Sequence, residues 1–111
     1  MNKSKDKGSR FERFLVKLIE SFNIKARRAW GSNGQALGMH EEVDVALYLE
    51  NSTYKIQAKI RRKISDFIKP SEHVDFQILR ADREEPYVVM RIKDFAKFII
   101  MEQYVDDINK E

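Results

Sequence analysis

Residues 43–49 and 53–60 each alternate side chains of two kinds, and only Glu50-Asn51-Ser52 lies between them. In the first segment Val43, Val45, Leu47 and Leu49 alternate with Asp44, Ala46 and Tyr48. In the second, Tyr54, Ile56, Ala58 and Ile60 alternate with Lys55, Gln57 and Lys59. A period of two sends successive side chains to opposite faces of a strand, which no helix does. The polar tripeptide reads as a turn, so the two strands are expected to pair as a hairpin. The rest of the chain has to be arranged around it.

Upstream, Phe11, Phe14, Leu15, Leu18, Ile19 and Phe22 follow helical spacing. Ser9 is placed to cap that helix, with Glu12 three residues on as its capping-box partner. Residues 24–30 suit a short strand with Ile24, Ala26 and Arg28 on one face. Residues 31–42 hold three of the four glycines and read as a loop. Residues 61–73 are mixed and basic, with a short helix expected to break near Pro70. FQILRA and PYVVMRI, joined by Asp82-Arg83-Glu84-Glu85, read as a second strand pair. From Asp94, a plausible cap, Phe95, Phe98, Ile99, Met101, Tyr104, Val105 and Ile108 describe a long helix with a wide apolar stripe, wide enough to include a dimer seam. The expected fold class is therefore α/β: one domain over residues 9–111, a central mixed β-sheet flanked by helices, preceded by a flexible basic N-terminus at 1–8.

Charge narrows the partners. Residues 1–28 carry nine Lys and Arg against three Asp and Glu, a local charge of +6, although the whole chain is only +3. A basic face on a nearly neutral protein suits a polyanion, with nucleic acid foremost, and equally a solubilising tail with solvated helix faces. The chain contains no cysteine, which excludes disulfides, thiolate metal sites and a cysteine nucleophile. No apolar run approaches the ~20 residues of a membrane span and no signal-peptide core is present, so no membrane partner and a cytoplasmic location are expected.

Four polar residues interrupt apolar elements in a way that suggests chemistry. Glu12 lies beside the stripe of the first helix, Asp44 sits between Val43 and Val45, and Gln57 and Lys59 leave one face of the next strand. In the hairpin Asp44 can approach Gln57 and Lys59, and the first helix can bring Glu12 over them. Oxygen donors from Glu12, Asp44 and Gln57 suit Mg²⁺, with Mn²⁺ as a substitute. A lysine beside them can hold a water or stabilise charge on a phosphate. Metal, lysine and a basic surface together are what phosphodiester hydrolysis needs. Taken singly, Glu12 is an ordinary helix residue, Asp44 a strand start, and Gln57 with Lys59 a solvated strand face.

The segments GSRFERFL, WGSNG, EEVDVALYL and YKIQAKI, in that order, resemble the archaeal-type Holliday junction resolvases of the PD-(D/E)XK nuclease superfamily. Lys7-Gly8-Ser9-Arg10 with Glu12 matches the opening helix motif, Gly31-Ser32-Asn33-Gly34 the loop, Asp44 the strand aspartate and Gln57-Ala58-Lys59 the Glu-X-Lys that follows. The resemblance implies a restriction-endonuclease-like fold and a homodimeric, Mg²⁺-dependent endonuclease nicking four-way or other branched DNA. It implies Glu12, Asp44, Gln57, Lys59 and Ser32 as catalytic residues, the first three as metal ligands. Lys7, Arg10, Arg13, Arg27, Arg28, Arg61, Arg62 and Lys63 are the candidates for DNA phosphate contacts. Gln57 departs from the pattern, since a carboxylate usually stands there; Glu41 or Glu42 could compensate, or be plain loop charges. His40 and His73 are candidates for phosphate contact or proton transfer, and Trp30 for base stacking or a junction wedge, or for the core or an interface. The alternatives are another repair or restriction-type nuclease of the superfamily, a non-catalytic nucleic-acid-binding module, and a small interaction protein whose basic end only solubilises it.

Overall fold

The computed structural model describes residues 3–110, apart from the side chains of Lys3, Ser4 and Ser32. They form two helices and two small antiparallel sheets, an α/β arrangement. The chain divides into two compact units, Met1–Ile60 with Glu102–Glu111, and Arg61–Met101.

In the first unit, helix α1 spans Lys3–Ser21. It begins six residues before the cap expected at Ser9, so the described part of the basic segment at 1–8 forms its first turns. Leu15 and Ile19 are buried while Phe14 is exposed, and Glu12 joins the buried face at the i, i+3, i+7 spacing of Glu12, Leu15 and Ile19. Strand β1 (Lys25–Arg28) carries Ala26 inward and Lys25 and Arg27 outward, and α1 packs against it. Two 3-10 turns, Trp30–Ser32 and Gly34–Leu37, fill the glycine-rich loop. Gly38 ends the second with φ 74°, a left-handed conformation in which a side chain would be strained. A Cβ on Gly34 would lie 1.9 Å from the His40 carbonyl oxygen, so only glycine lets the loop close there.

Strand β2 (Val45–Tyr48) lies between β1 and β3 (Thr53–Ile56), all antiparallel. The register sets Arg27, Ala46 and Lys55 in one row and Arg28, Val45 and Ile56 in the next. The hairpin turns where expected, with the Leu49 N–H donating to the Ser52 carbonyl at 2.8 Å. β2 is buried on both faces, since Val45 and Leu47 on one face and Ala46 on the other are inaccessible. The last turns of α2 (Ile92–Asn109) fasten to this hairpin. Tyr54 and Ser52 donate to Glu102 at 2.6 and 3.1 Å, and Lys110 pairs with Glu50 at 2.6 Å.

The second unit contains β4 (Phe76–Leu79) and β5 (Tyr87–Met90), paired antiparallel as the sequence implies, and the first turns of α2. The rings of Phe76 and Phe98 lie 6.1 Å apart, and Arg91 donates to the carbonyls of Val74 and Ser71 at 3.0 and 2.7 Å. The short helix expected in 61–73 is a single turn, in which the N–H groups of Ile68 and Lys69 both reach the Ser65 carbonyl; proline at 70 offers no N–H to continue it. α2 starts at Ile92, so Asp94 lies in its first turn instead of capping it.

The central mixed sheet is corrected as well. Strands β1–β3 and β4–β5 form separate sheets, and every pairing is antiparallel. The expected strand over residues 53–60 stops at Ile56, which leaves 57–75 without strand structure. The reason lies at Asp44.

Candidate functional site

β2 begins one residue after Asp44, and the backbone of Asp44 ties three segments together. Its carbonyl accepts from the Ala29 N–H at 2.8 Å, continuing the β1 ladder. Its N–H donates to the Ile56 carbonyl at 2.9 Å. The β2–β3 register would set Gln57 opposite Asp44, but the bond to Ile56 shifts the pairing by one residue. The carboxylate then accepts the Ala58 N–H at Oδ2, 2.8 Å away. A side chain thus takes a backbone donor that the ladder would have used, and β3 ends there.

Asp44 is 9% exposed. Its pKa is raised above the ordinary carboxylate value, first by desolvation and also by the negative charge of Glu12. The Ala58 hydrogen bond and the positive charge of Lys59 act against the rise. Glu12, Asp44 and Lys59, drawn from α1, the start of β2 and the segment after β3, are therefore close enough to influence one another.

Glu12 is held from the β1 side. Arg28 Nε donates to Glu12 Oε1 at 2.9 Å, and Arg28 Nη2 donates to Ser9 Oγ at 3.1 Å. The Glu12 side chain is 6% exposed and that of Arg28 22%. Arg28, expected on DNA phosphate, instead turns inward because a carboxylate buried to this degree needs a partner. Ser9 accepts from that arginine where a cap was expected. The inward parity of Ile24, Ala26 and Arg28 was the available sign of a buried charge seeking a counter-ion.

The remaining candidates divide by exposure. Gln57 is exposed just past β3 and makes no hydrogen bond among the described residues. Lys7, Arg10, Arg13 and Arg27 are exposed on α1 and β1. Arg61, Arg62 and Lys63 are exposed at the start of the second unit. Ser32 closes the first 3-10 turn, and its side chain lies outside the described residues. His40 Nδ1 accepts the Glu42 N–H at 3.1 Å, a loop-closing contact, while Glu41 and Glu42 face solvent. His73 lies 3.5 Å from Glu72, both highly exposed. Trp30 is 84% exposed, which removes it from the core.

Two further basic residues, Lys25 and Lys55, went unselected in the sequence. The register brings Arg27 and Lys55 to either side of buried Ala46, and Lys25 lies over the Tyr48 ring, 5.7 Å from its centroid. They share one face of the sheet, while Arg28 leaves the other face to meet α1.

Asp44 and Glu12 are the buried carboxylates among the described residues that could hold a divalent cation, and Glu12 already accepts from Arg28. Among the described residues no group of three or more His, Asp or Glu gathers as a metal site, so such an ion would keep several waters. Among the same residues no helix is long and apolar enough to cross a membrane. Comparison of the chain with protein-family models, curated proteins and solved structures finds no match.

Proposed function

We propose that this chain is a metal-dependent endonuclease acting on branched DNA, of the Holliday junction resolvase type, with a restriction-endonuclease-like arrangement built on α1 and β1–β3. One observation carries the reading. A buried aspartate of raised proton affinity, which accepts the Ala58 N–H at 2.8 Å, stands within electrostatic reach of a second buried carboxylate and of a lysine.

In this reading Glu12 and Asp44 hold Mg²⁺, or Mn²⁺ in its place. When bound, the ion supplies positive charge against the charge that develops on the scissile phosphate. Arg28 keeps the Glu12 carboxylate in one orientation, and the Ala58 N–H does the same for Asp44. Lys59 offers its ammonium to a phosphate oxygen or to the attacking water. Lys7, Arg10 and Arg13 on α1 serve as phosphate contacts, and Lys25, Arg27 and Lys55 offer a second basic face on the other side of the sheet. Two copies related by a two-fold axis would give paired nicks in opposing strands.

The second reading is a non-catalytic nucleic-acid-binding module. Gln57 favours it, because the position where the nuclease pattern has a carboxylate carries a neutral amide. Cleavage of a labelled four-way junction in Mg²⁺, against linear duplex, separates the two. Asp44→Asn is expected to lose cleavage by roughly a thousandfold or more while retaining junction binding. Calorimetry should show Mg²⁺ or Mn²⁺ binding to the wild type that the variant lacks. Junction binding with neither cleavage nor metal uptake would establish the binding module. Replacing Lys25, Arg27 and Lys55 together by glutamine should flatten the salt dependence of binding by up to about 2.7 log units per log unit of salt, if each contacts one phosphate.

A further inference from the structure

Trp30 is the only tryptophan of the chain and is 84% exposed. Exposure to this degree is uncommon for an indole, whose large apolar surface ordinarily finds cover. The loop that presents it is anchored on both sides. Ala29, immediately before, is fully buried, and its N–H donates to the Asp44 carbonyl. Gly31, immediately after, takes φ 67°, and Gly34 is buried where a Cβ would strike the His40 carbonyl. Trp30 is thus held, uncovered, one residue from the backbone that positions Asp44.

Its neighbours indicate the partner. Arg27 is exposed and Arg28 reaches Glu12, while Gly31, Ser32 and Asn33 are small or polar. A tryptophan that anchors a protein interface sits at the centre of an apolar patch with a surrounding ring that excludes water. An exposed aromatic three residues after the exposed Arg27, in a loop with no other exposed large apolar side chain, is instead suited to stacking a nucleobase while the cation follows the phosphates. From this we infer that Trp30 stacks on an unpaired base at the branch point of a nucleic acid whose phosphate lies at Asp44. The inference rests on the nucleic-acid reading above and narrows its substrate. An indole has one N–H donor and a broad face, so it selects an unstacked base without reading sequence.

The lone tryptophan provides its own probe. The full chain is titrated in EDTA with three DNAs: a four-way junction carrying two unpaired thymines at the branch, the fully paired linear duplex, and single-stranded oligothymidine. Tryptophan emission and the anisotropy of labelled DNA are read together. The junction with unpaired bases and the single strand are expected to quench the emission, and the duplex is not. Trp30→Ala should bind the unpaired junction roughly 5- to 150-fold more weakly, the range of base–aromatic stacking, with duplex affinity within about twofold. Trp30→Phe should retain most of the affinity, which also covers the case of an alanine variant that fails to fold. Equal quenching by all three DNAs, or unchanged affinity of Trp30→Ala, overturns the stacking role and leaves the nucleic-acid reading standing. Unchanged DNA affinity with altered sedimentation of Trp30→Ala assigns the indole to a protein contact. No binding of any of the three DNAs by the wild type overturns both.

Discussion

Asp44 is a residue whose environment works against its own charge. Desolvation and Glu12 raise its pKa above the unfolded value, so the folded chain binds a proton there more readily than the unfolded chain. The contribution of this carboxyl to stability is therefore greatest below its unfolded pKa of ~3.9 and is lost as pH rises through the folded value. At neutral pH and without metal it opposes folding. Asp44→Asn removes the charge and keeps an oxygen to accept the Ala58 N–H. Its Tm in EDTA should exceed that of the wild type at pH 7–8, with the gap closing as pH falls toward 4. A variant that melts lower at pH 7 would show that the carboxylate stabilises the fold. Arg28 is the opposite case. Arg28→Met leaves Glu12 buried without its 2.9 Å partner and should destabilise by about 3 kcal/mol in urea unfolding. Glu12→Gln in the same background should recover much of that loss, because the buried negative charge is gone.

The loop and turn elements are governed by backbone conformation. Gly34→Ala sets a methyl against the His40 carbonyl oxygen and the Val43 side chain, so the loop has to open. A loss of about 3 kcal/mol is expected, with the Trp30 emission shifting as the loop moves. Arg83 occupies the β4–β5 turn at φ 65°, where a β-carbon is strained. Arg83→Gly should stabilise by about 0.5 kcal/mol, since relief of strain is partly offset by the entropy of glycine in the unfolded chain. Strand β3 illustrates how an element's end is decided. Its alternation continues to Ile60, but the Asp44 carboxylate takes the Ala58 N–H and the ladder closes at Ile56.

For the molecule as a whole, helix α2 raises the question of cover. Ala96 and Ile99 are buried, yet Met101, Tyr104, Val105 and Ile108 are exposed at the i, i+3, i+4, i+7 spacing of a helical stripe. An unpartnered stripe of this kind supports the homodimer proposed with the function, in which two copies bury it against each other. Sedimentation equilibrium should give a dimer, and Tyr104→Asp with Val105→Glu should weaken association by about 2 kcal/mol or more per residue. An unaltered dimer in that variant would place the seam elsewhere, and a monomeric wild type would remove it.

Much was legible in the sequence because it depends on neighbours a few residues away. The hairpin of 45–56, the strand pair of 76–90, the inward parity of Ala26 and the two long helices all follow from a period of two or 3.6 and from turn residues. Glu12, Asp44 and Lys59 were likewise visible as polar interruptions. Partners were not. That Arg28 holds Glu12, sixteen residues away, and that Asp44 binds Ala58, fourteen away, depends on how α1 and the loop pack onto β1–β3. Burial created those pairings, because a desolvated carboxylate must find a donor, and local pattern does not say which donor the packing will deliver. The same holds for Trp30. Its composition as an aromatic is compatible with a core or a surface, and only the anchored backbone on either side leaves it in water.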